Sequence, residues 1–208
     1  MNRRRPVIGV VLAGGRGARM NAERPKPLLA LGDRSLLVRA IERLQPQVDE
    51  IVVSVASSLE QVDPRWTFVA DAGGSFHGPL NGVVSTARHV EATKGLSSFL
   101  LMTAAADTPF FPRDVVASLS ARVPPDGVAV ASHRTNWIPT FALWTSEAIA
   151  QIDDAPERSL RSAIGVVPHV VVDFPDMDDA PDGDPFFNIN TPSDIERARH
   201  HVAVYGNR

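Results

Sequence analysis

Apolar and polar positions along the chain form two alternating patterns. Short, continuous apolar runs, of which residues 7–13 are the first, are typical of strands buried on both faces of a parallel sheet. Further runs of this kind lie at 50–55, 67–70, 98–103, 127–131, 140–144 and 169–173. Between them, apolar residues recur at the spacing of an amphipathic helix. The helical patterns cover 35–44, 80–91, 113–123, 146–152, 159–164 and 192–202. Ser35 is placed to cap the first helix, and Thr191 or Ser193 the last.

The order of these segments predicts the fold class. Strands that alternate with helices indicate an α/β protein with three layers, a mostly parallel Rossmann-like sheet with helices on both faces. The 208 residues contain no internal repeat or interdomain linker, so we expect a single domain over 1–208. The Asp- and Pro-rich segment 175–185 is predicted to be a loop. Ligands of such sheets bind outside the carboxyl ends of the strands, and this rule places Gly14 near Asp107 because each follows a predicted strand.

Composition and charge exclude several classes of protein. The formal net charge of −3 argues against a general nucleic-acid-binding surface, which would be basic. The sequence has no cysteine, which excludes disulfides, zinc–thiolate sites and thiol nucleophiles. No stretch approaches the roughly 18–20 apolar residues that span a bilayer. The apolar run at 7–13 leads into basic residues and not into a signal-peptide cleavage site. We therefore expect a cytoplasmic protein without membrane contact.

A Gly-rich segment follows the first predicted strand. Gly14, Gly15 and Gly17 allow backbone N–H groups to converge on an anion, and Arg16, Arg19 and Lys26 add positive charge, as a triphosphate requires. The segment is not a Walker A loop, because no Gly-Lys-Ser/Thr closes it. It also lacks the third glycine of a dinucleotide fingerprint. The alternative interpretation is a strand-to-helix turn with solvated arginines.

Side chains with oxygen atoms occur at two later places in the sequence, at Asp107 and at Asn188 with Asn190. Asp107 comes just after a buried strand and before Thr108-Pro109, where a carboxylate is placed to hold Mg²⁺ against phosphates. Asn188 and Asn190 would share one face if their segment were a strand, and they would complete a metal or ribose site. The alternatives are a turn aspartate and a polar strand end that precedes a capped helix.

A fourth segment lies between the third and fourth predicted strands. It reads His77-Gly78-Pro79-Leu80-Asn81-Gly82 and is preceded by Asp71. Gly78 and Gly82 would allow the backbone to approach a base or an acceptor closely. The alternative is an ordinary loop that begins a helix.

Taken together and in order, these segments resemble the molybdenum cofactor guanylyltransferases within the nucleotidyltransferase superfamily. The resemblance covers nearly the whole chain. It is carried by Leu-Ala-Gly-Gly-x-x-x-Arg-Met at 12–20, Lys26 with Leu28-Leu29, Asp71, Gly78-Pro79-Leu80-x-Gly82, Asp107-Thr108-Pro109 and Asn188-x-Asn190-Thr191-Pro192. It implies the fold of nucleotide-diphospho-sugar transferases, with an N-terminal half that binds NTP and a C-terminal half that binds the acceptor.

The resemblance also implies roles for individual residues. The catalytic residues would be Lys26, Arg19 and Asp107, with Mg²⁺ held by Asp107 and Asn190. The nucleotide-binding residues would be Leu12, Ala13, Gly14, Gly15, Arg16, Lys26, Ser54, Asp71 and Asp107. The acceptor-binding residues would be Gly78, Pro79, Leu80, Gly82, Pro139, Thr140, Asn188 and Asn190. The implied ligands are GTP and molybdopterin or molybdenum cofactor, and the implied protein partners are molybdoenzymes or cofactor chaperones, with no nucleic acid.

By this resemblance, the reaction is transfer of GMP from GTP to the terminal phosphate of molybdopterin, and Gly15 favours guanine over cytosine. Three departures from the family pattern bear on the acceptor and the base: the longer segment 20–27 before the lysine, Ile138 where the family has His before Pro-Thr, and Ser54 where it has Asn. The alternatives are a cytidylyl- or sugar-phosphate nucleotidyltransferase and a non-catalytic nucleotide-binding protein that delivers cofactor.

Overall fold

The fold is an α/β sandwich built on one large sheet. The computed structural model describes residues 4–14, 25–55, 65–70, 78–153 and 159–206. The strands are β1 (Val7–Leu12), β2 (Ala30–Leu31), β3 (Arg34–Ser35), β4 (Glu50–Val55), β5 (Thr67–Ala70), β6 (Leu100–Ala105), β7 (Val128–His133), β8 (Asn136–Thr145) and β9 (His169–Phe174). The α-helices are α1 (Leu36–Leu44), α2 (Pro79–Lys94), α3 (Val115–Ser120), α4 (Ser146–Asp153), α5 (Leu160–Gly165) and α6 (Pro192–Tyr205). Short 3-10 helices cover Lys26–Leu28, Gln45–Gln47 and Pro181–Gly183.

Seven strands form the large sheet in the order β5-β4-β1-β6-β8-β7-β9, and β2 pairs with β3 in a separate hairpin. Strand β8 is antiparallel to β6 and β7, whereas the other neighbouring strands run parallel. The predicted mostly parallel sheet is therefore confirmed. Leu12 is in register with both Ser54 and Ala105, so β1, β4 and β6 end at nearly the same level.

The helices cover both faces of this sheet, as predicted. One apolar cluster joins α1 and α3 to one face, and a second joins α2, α4 and α5 to the other. The two faces need separate helical layers because the strands are apolar on both sides, and β1 is buried along its whole length. A third cluster lies beneath α6 and includes Phe110, Phe187 and Ile189. It places α6 over β2 at the carboxyl edge of β1 and β6.

The helix caps follow the sequence pattern. The Ser35 hydroxyl accepts a hydrogen bond from Val38 N at 3.3 Å, as predicted for the start of α1. For α6 the structure selects Thr191, whose hydroxyl accepts from Asp194 N while the Asp194 carboxylate accepts from Thr191 N. Among the described helices, none is long and apolar enough to cross a membrane.

The largest difference from the sequence prediction is β8. This strand begins at Asn136 and not at Thr140, because it forms a hairpin with β7 through Arg134 and Thr135, whose φ angles are 47° and 67°. Such left-handed turns are usually signalled by Asn or Gly, and this one is not. The pairing also shifts register, so that Val130 faces Ala142 while Ala131 faces Ile138. Residues 139–141 bulge out between these pairs, at a position where Pro139 has no N–H to donate.

Candidate functional site

The carboxyl ends of β1, β4 and β6 meet at one edge of the sheet. Ala13 N donates to Ser54 O at 2.9 Å, and Ala106 N donates to Leu12 O at 3.1 Å. Gly14 is exposed, whereas Leu12 and Ala13 are buried. The strands that precede Gly14 and Asp107 are parallel neighbours, so both residues follow strands that end at the edge of the sheet where the sequence predicted them to lie close together.

Three predicted site residues converge at this edge. Lys26 Nζ lies 2.5 Å from Asp107 Oδ2 and 2.8 Å from Asn190 Oδ1. The Lys26 side chain is only 10% exposed and that of Asp107 26%, so the ion pair is partly shielded from water. Residues separated by 81 and 164 positions along the chain thus surround one positive charge. We call these three residues the Lys26 cluster.

Local structure fixes each member of the Lys26 cluster. Lys26 opens a 3-10 helix between Pro25 and Pro27, which restricts its backbone. The Asp107 carbonyl oxygen accepts a hydrogen bond from Ile189 N at 2.9 Å, and this bond ties the loop after β6 to the segment that carries Asn190. Asn190 then precedes the Thr191 cap of α6. The cluster is therefore held by backbone and not by side-chain packing alone.

Sequence reasoning missed Asp194, which supports this arrangement from the first turn of α6. Its Oδ2 accepts hydrogen bonds from Asn190 N at 3.0 Å and from Thr191 N at 2.8 Å. Partial burial raises the pKa of Asp194. The hydrogen bonds from Thr191 and Asn190 and the charge of Lys26 outweigh that effect and lower the pKa below its ordinary value. The capping-box spacing from Thr191 to Asp194 was the available signal.

The segment with the two asparagines is not a strand. Residues 187–190 have no regular secondary structure, and Ile189 is buried while Asn188 and Asn190 are exposed. The strand from which a shared face was predicted is therefore absent. Of the two asparagines, only Asn190 makes a described contact with Lys26.

Residues 78–82 form the start of α2, which is the alternative left open by the sequence. Gly78 precedes the helix with a φ of +65°, and Pro79 is its first residue. Leu80 is fully buried in the core, so its side chain does not face a ligand. A Cβ on Gly82 would lie 2.9 Å from Leu12 Cδ2 and 3.1 Å from Ser54 Cβ, so the close approach at this glycine is to strands β1 and β4.

The remaining predicted residues divide into two groups. Pro139 and Thr140 are partly exposed on the bulge of β8, next to the end of β6, where they border the same edge of the sheet. Gly15, Arg16, Arg19 and Asp71 lie outside the described residues. Within the described ranges, no group of three or more His, Cys, Asp or Glu side chains is placed to hold a metal.

The sheet order and the Lys26 cluster define a Rossmann-like α/β protein whose polar site lies at the carboxyl edge of the sheet. Comparisons with known proteins identify the family to which this chain belongs. The MobA-like NTP transferase domain matches residues 9–170, and the chain belongs to this family. It is therefore a nucleotidyltransferase.

Individual relatives agree with the family assignment. A molybdenum cofactor guanylyltransferase from Rhizobium meliloti is 38% identical over 200 residues, which cover 91% of this chain and 88% of the relative. The structure of molybdopterin-guanine dinucleotide biosynthesis protein A from Archaeoglobus fulgidus matches with a TM-score of 0.69 at 22% identity, over 95% of this chain and 99% of that one. A Bacillus anthracis chain described as a glucose-1-phosphate thymidylyltransferase matches with a TM-score of 0.71 at 13% identity, over 97% and 96%. The structural matches show the nucleotide-diphospho-sugar transferase fold.

Proposed function

We propose that this chain transfers GMP from GTP to the terminal phosphate of molybdopterin and releases pyrophosphate. The substrates are inferred from two relatives. The Rhizobium meliloti and Mesorhizobium japonicum proteins are both named molybdenum cofactor guanylyltransferase. The structural observation that carries the proposal is the Lys26 cluster at the carboxyl edge of the sheet. In this arrangement the N-terminal half binds NTP and the C-terminal half binds the acceptor.

The proposed reaction is an in-line displacement at the α-phosphorus. An oxygen of the acceptor phosphate forms a new P–O bond, and the bond to the bridging oxygen between the α- and β-phosphates breaks. The electron pair of that bond leaves with pyrophosphate. Because the acceptor phosphate is already an anion, the site needs no strong general base. Its work is to position the two phosphates and to balance their charge.

Lys26 supplies a cation at the position where charge develops. Its ammonium is held by Asp107 and Asn190 in this structure, and its flexible four-carbon stem allows it to donate to a phosphate oxygen instead. Arg19 and the N–H groups that follow Gly14 are proposed to hold the leaving pyrophosphate. Pro139 and Thr140, on the bulge of β8, are proposed to border the acceptor.

The donor atoms of the Lys26 cluster also fit Mg²⁺. Asp107 offers a carboxylate and Asn190 an amide oxygen, and Mg²⁺ in nucleotide sites takes one or two such ligands together with phosphates and water. We propose that these two residues hold the ion. When bound, it neutralises phosphate charge. Asp107 is suited to this role because Ile189 fixes its backbone and Thr108 lies beside its carboxylate, with 3.4 Å between Thr108 Oγ1 and Asp107 Oδ1.

The direct test is turnover of GTP labelled at the α-phosphorus, with molybdopterin as acceptor. We expect label in a dinucleotide product and equimolar release of pyrophosphate. Parallel reactions with α-labelled CTP, and with glucose 1-phosphate as acceptor, test the cytidylyl and sugar-phosphate alternatives. Faster transfer in either parallel reaction would overturn the proposed substrates while leaving the nucleotidyltransferase class intact.

A further inference from the structure

A second polar pocket lies away from the Lys26 cluster. It has a volume of about 230 Å³ and is formed by α1, the loop after β6 and the carboxyl-terminal part of α6. Its lining includes Arg39, Arg43, Arg113, Phe110, His201 and Tyr205. The volume is below the roughly 300–1,000 Å³ of most drug-sized ligand sites, so it suits a small ligand.

Positive charge dominates this pocket. Three guanidinium groups line it, together with the carboxylates of Glu42 and Asp179. Glu42 is directed to Arg34, with 3.4 Å between its Oε1 and Arg34 Nε. Asp179 Oδ2 lies 3.6 Å from Arg43 Nη2 and so balances part of the charge of that residue. In the described part of the chain, no ion-pair partner is found for the exposed Arg113.

Arg43 and Arg113 repel each other across this space. Arg43 is only 7% exposed, its Nε donates to the carbonyl of Phe111, and its guanidinium lies 6.0 Å from the Phe111 ring. Burial, and after it the positive charge of Arg113, lowers the pKa of Arg43. An anion between the two guanidinium groups would offset both effects.

His201 provides an independent sign of a missing polar partner. Its side chain is 9% exposed, and within the described residues Nε2 is buried without a hydrogen-bond partner. The ring packs against Phe110 at 5.5 Å and Tyr205 at 4.7 Å between centroids, so its position is fixed by aromatic neighbours. A buried polar nitrogen without a partner is costly, and because His201 lines the pocket, it is the side chain that would respond to a polar ligand bound there.

From these observations we infer that the pocket between α1, the loop after β6 and α6 binds a small phosphate-bearing molecule. Arg113 offers a forked donor that suits phosphate oxygens, whereas the Nε groups of Arg39 and Arg43 already donate to backbone carbonyls. The rings of Phe110, His201 and Tyr205 offer an apolar wall beside them. This inference goes beyond the proposed transfer reaction and does not depend on it, because none of these residues belongs to the Lys26 cluster.

The test follows the His201 side chain directly by NMR of protein with ¹⁵N-labelled histidine. The chain has 6 histidines, and the signal missing from His201→Phe identifies the one of interest. Inorganic phosphate and phenyl phosphate are titrated separately in the absence of nucleotide. Phosphate that binds only at the Lys26 cluster would leave the His201 signal unchanged, so the two sites are distinguished.

We expect a saturable shift of the His201 signal. Arg113→Gln should weaken the binding by at least about tenfold, because it removes one charged hydrogen-bond donor. The control Arg122→Gln changes an exposed arginine outside this pocket and should bind as wild type does. Equal affinity for both probes would indicate a site for free phosphate. Tighter binding of phenyl phosphate would indicate a site for an aromatic phosphate ester. Absence of a saturable shift with either probe, or unchanged affinity in Arg113→Gln, would show a solvent-filled pocket and overturn the inference.

Discussion

The ammonium of Lys26 lies 2.5 Å from the carboxylate of Asp107, although the two residues are 81 positions apart in the chain. Asn190 Oδ1 approaches the same ammonium at 2.8 Å. A single cation thus holds together the two oxygen donors that we propose for the metal. The pair is only partly exposed, so its attraction is screened less than that of a surface ion pair. Neither residue belongs to an apolar cluster of the core, so changes at either should alter the site more than the fold.

Asp107→Asn should preserve the fold and abolish most of the Mg²⁺-dependent turnover. The substitution is nearly isosteric, and the backbone bond from Ile189 N to Asp107 O remains. It removes the charged oxygen proposed for the ion. Turnover of α-labelled GTP and thermal unfolding are measured together. The control Asp126→Asn changes an exposed aspartate before β7 and should behave as wild type in both measurements. Wild-type turnover of Asp107→Asn would show that Asp107 is only a turn residue.

Lys26→Ala should lower kcat by about 100- to 1,000-fold and change KM much less. The reason is that Lys26 is proposed to stabilise charge that appears during the transfer and not in bound GTP. Steady-state kinetics separate the two constants. The control Lys94→Ala removes a surface lysine that pairs with Glu50 at 2.9 Å, and it should leave both constants unchanged. A raised KM with an unchanged kcat would mean that Lys26 binds only ground-state phosphate.

Gly82→Ala should destabilise the protein by about 1–3 kcal/mol, because the new methyl group would crowd Leu12 and Ser54. Chemical unfolding measures this change. Gly165→Ala is the matched control, since a Cβ there meets nothing within 4 Å, and it should leave the stability unchanged or raise it by up to about 1 kcal/mol. Adding Ser54→Gly to Gly82→Ala should restore part of the loss. If Gly82→Ala alone were as stable as wild type, β1 and β4 would accommodate the methyl group without loss of stability.

Asp194→Asn should reduce stability at neutral pH, and the difference from wild type should disappear in acid. The native structure lowers the pKa of Asp194 below its usual 3.8. The charged carboxylate therefore contributes stability above that value, and the contribution is lost as the pH falls through the lowered pKa. Melting temperatures of both proteins between neutral pH and about pH 3 test this. A difference that stays constant over the whole range would show that the charge of Asp194 plays no part.

GTP should stabilise the protein more than CTP does, because we expect GTP to bind at least about tenfold more tightly. We propose that Gly15, which has no Cβ, lies in the base site and admits a purine. A pocket that pairs with the guanine donors would leave its own polar atoms unpaired with another base, at roughly 1–3 kcal/mol each. Thermal-shift measurements with the four NTPs, with and without Mg²⁺, provide the comparison. An equal or larger shift with CTP would contradict guanine selection and favour the cytidylyl alternative.

The sequence predicted the strands of the large sheet because each is a continuous apolar run with no competing helical pattern. It also predicted that Gly14 and Asp107 lie at one edge of the sheet, because each follows a strand and ligands of parallel sheets bind at the carboxyl ends of the strands. It did not predict the full length of β8, because the turn at Arg134 and Thr135 lacks the usual Asn or Gly. The role of Asp194 was missed for another reason: an acidic residue in the first turn of a helix is ordinary, and only the fold shows that its cap lies beside Lys26.

The position of Asn190 has a consequence for synthesis of the chain. Every strand of the large sheet ends by Phe174, whereas Asn190 and α6 come later and pack back on the loop after β6 and on β2. On the ribosome, Lys26 and Asp107 emerge long before the segment that completes their arrangement. A nascent chain that has reached only β9 therefore contains every strand among the described residues but lacks Asn190, which we propose as a metal ligand. If Asn190 holds the metal as proposed, the scaffold is made before the chain can carry out the transfer.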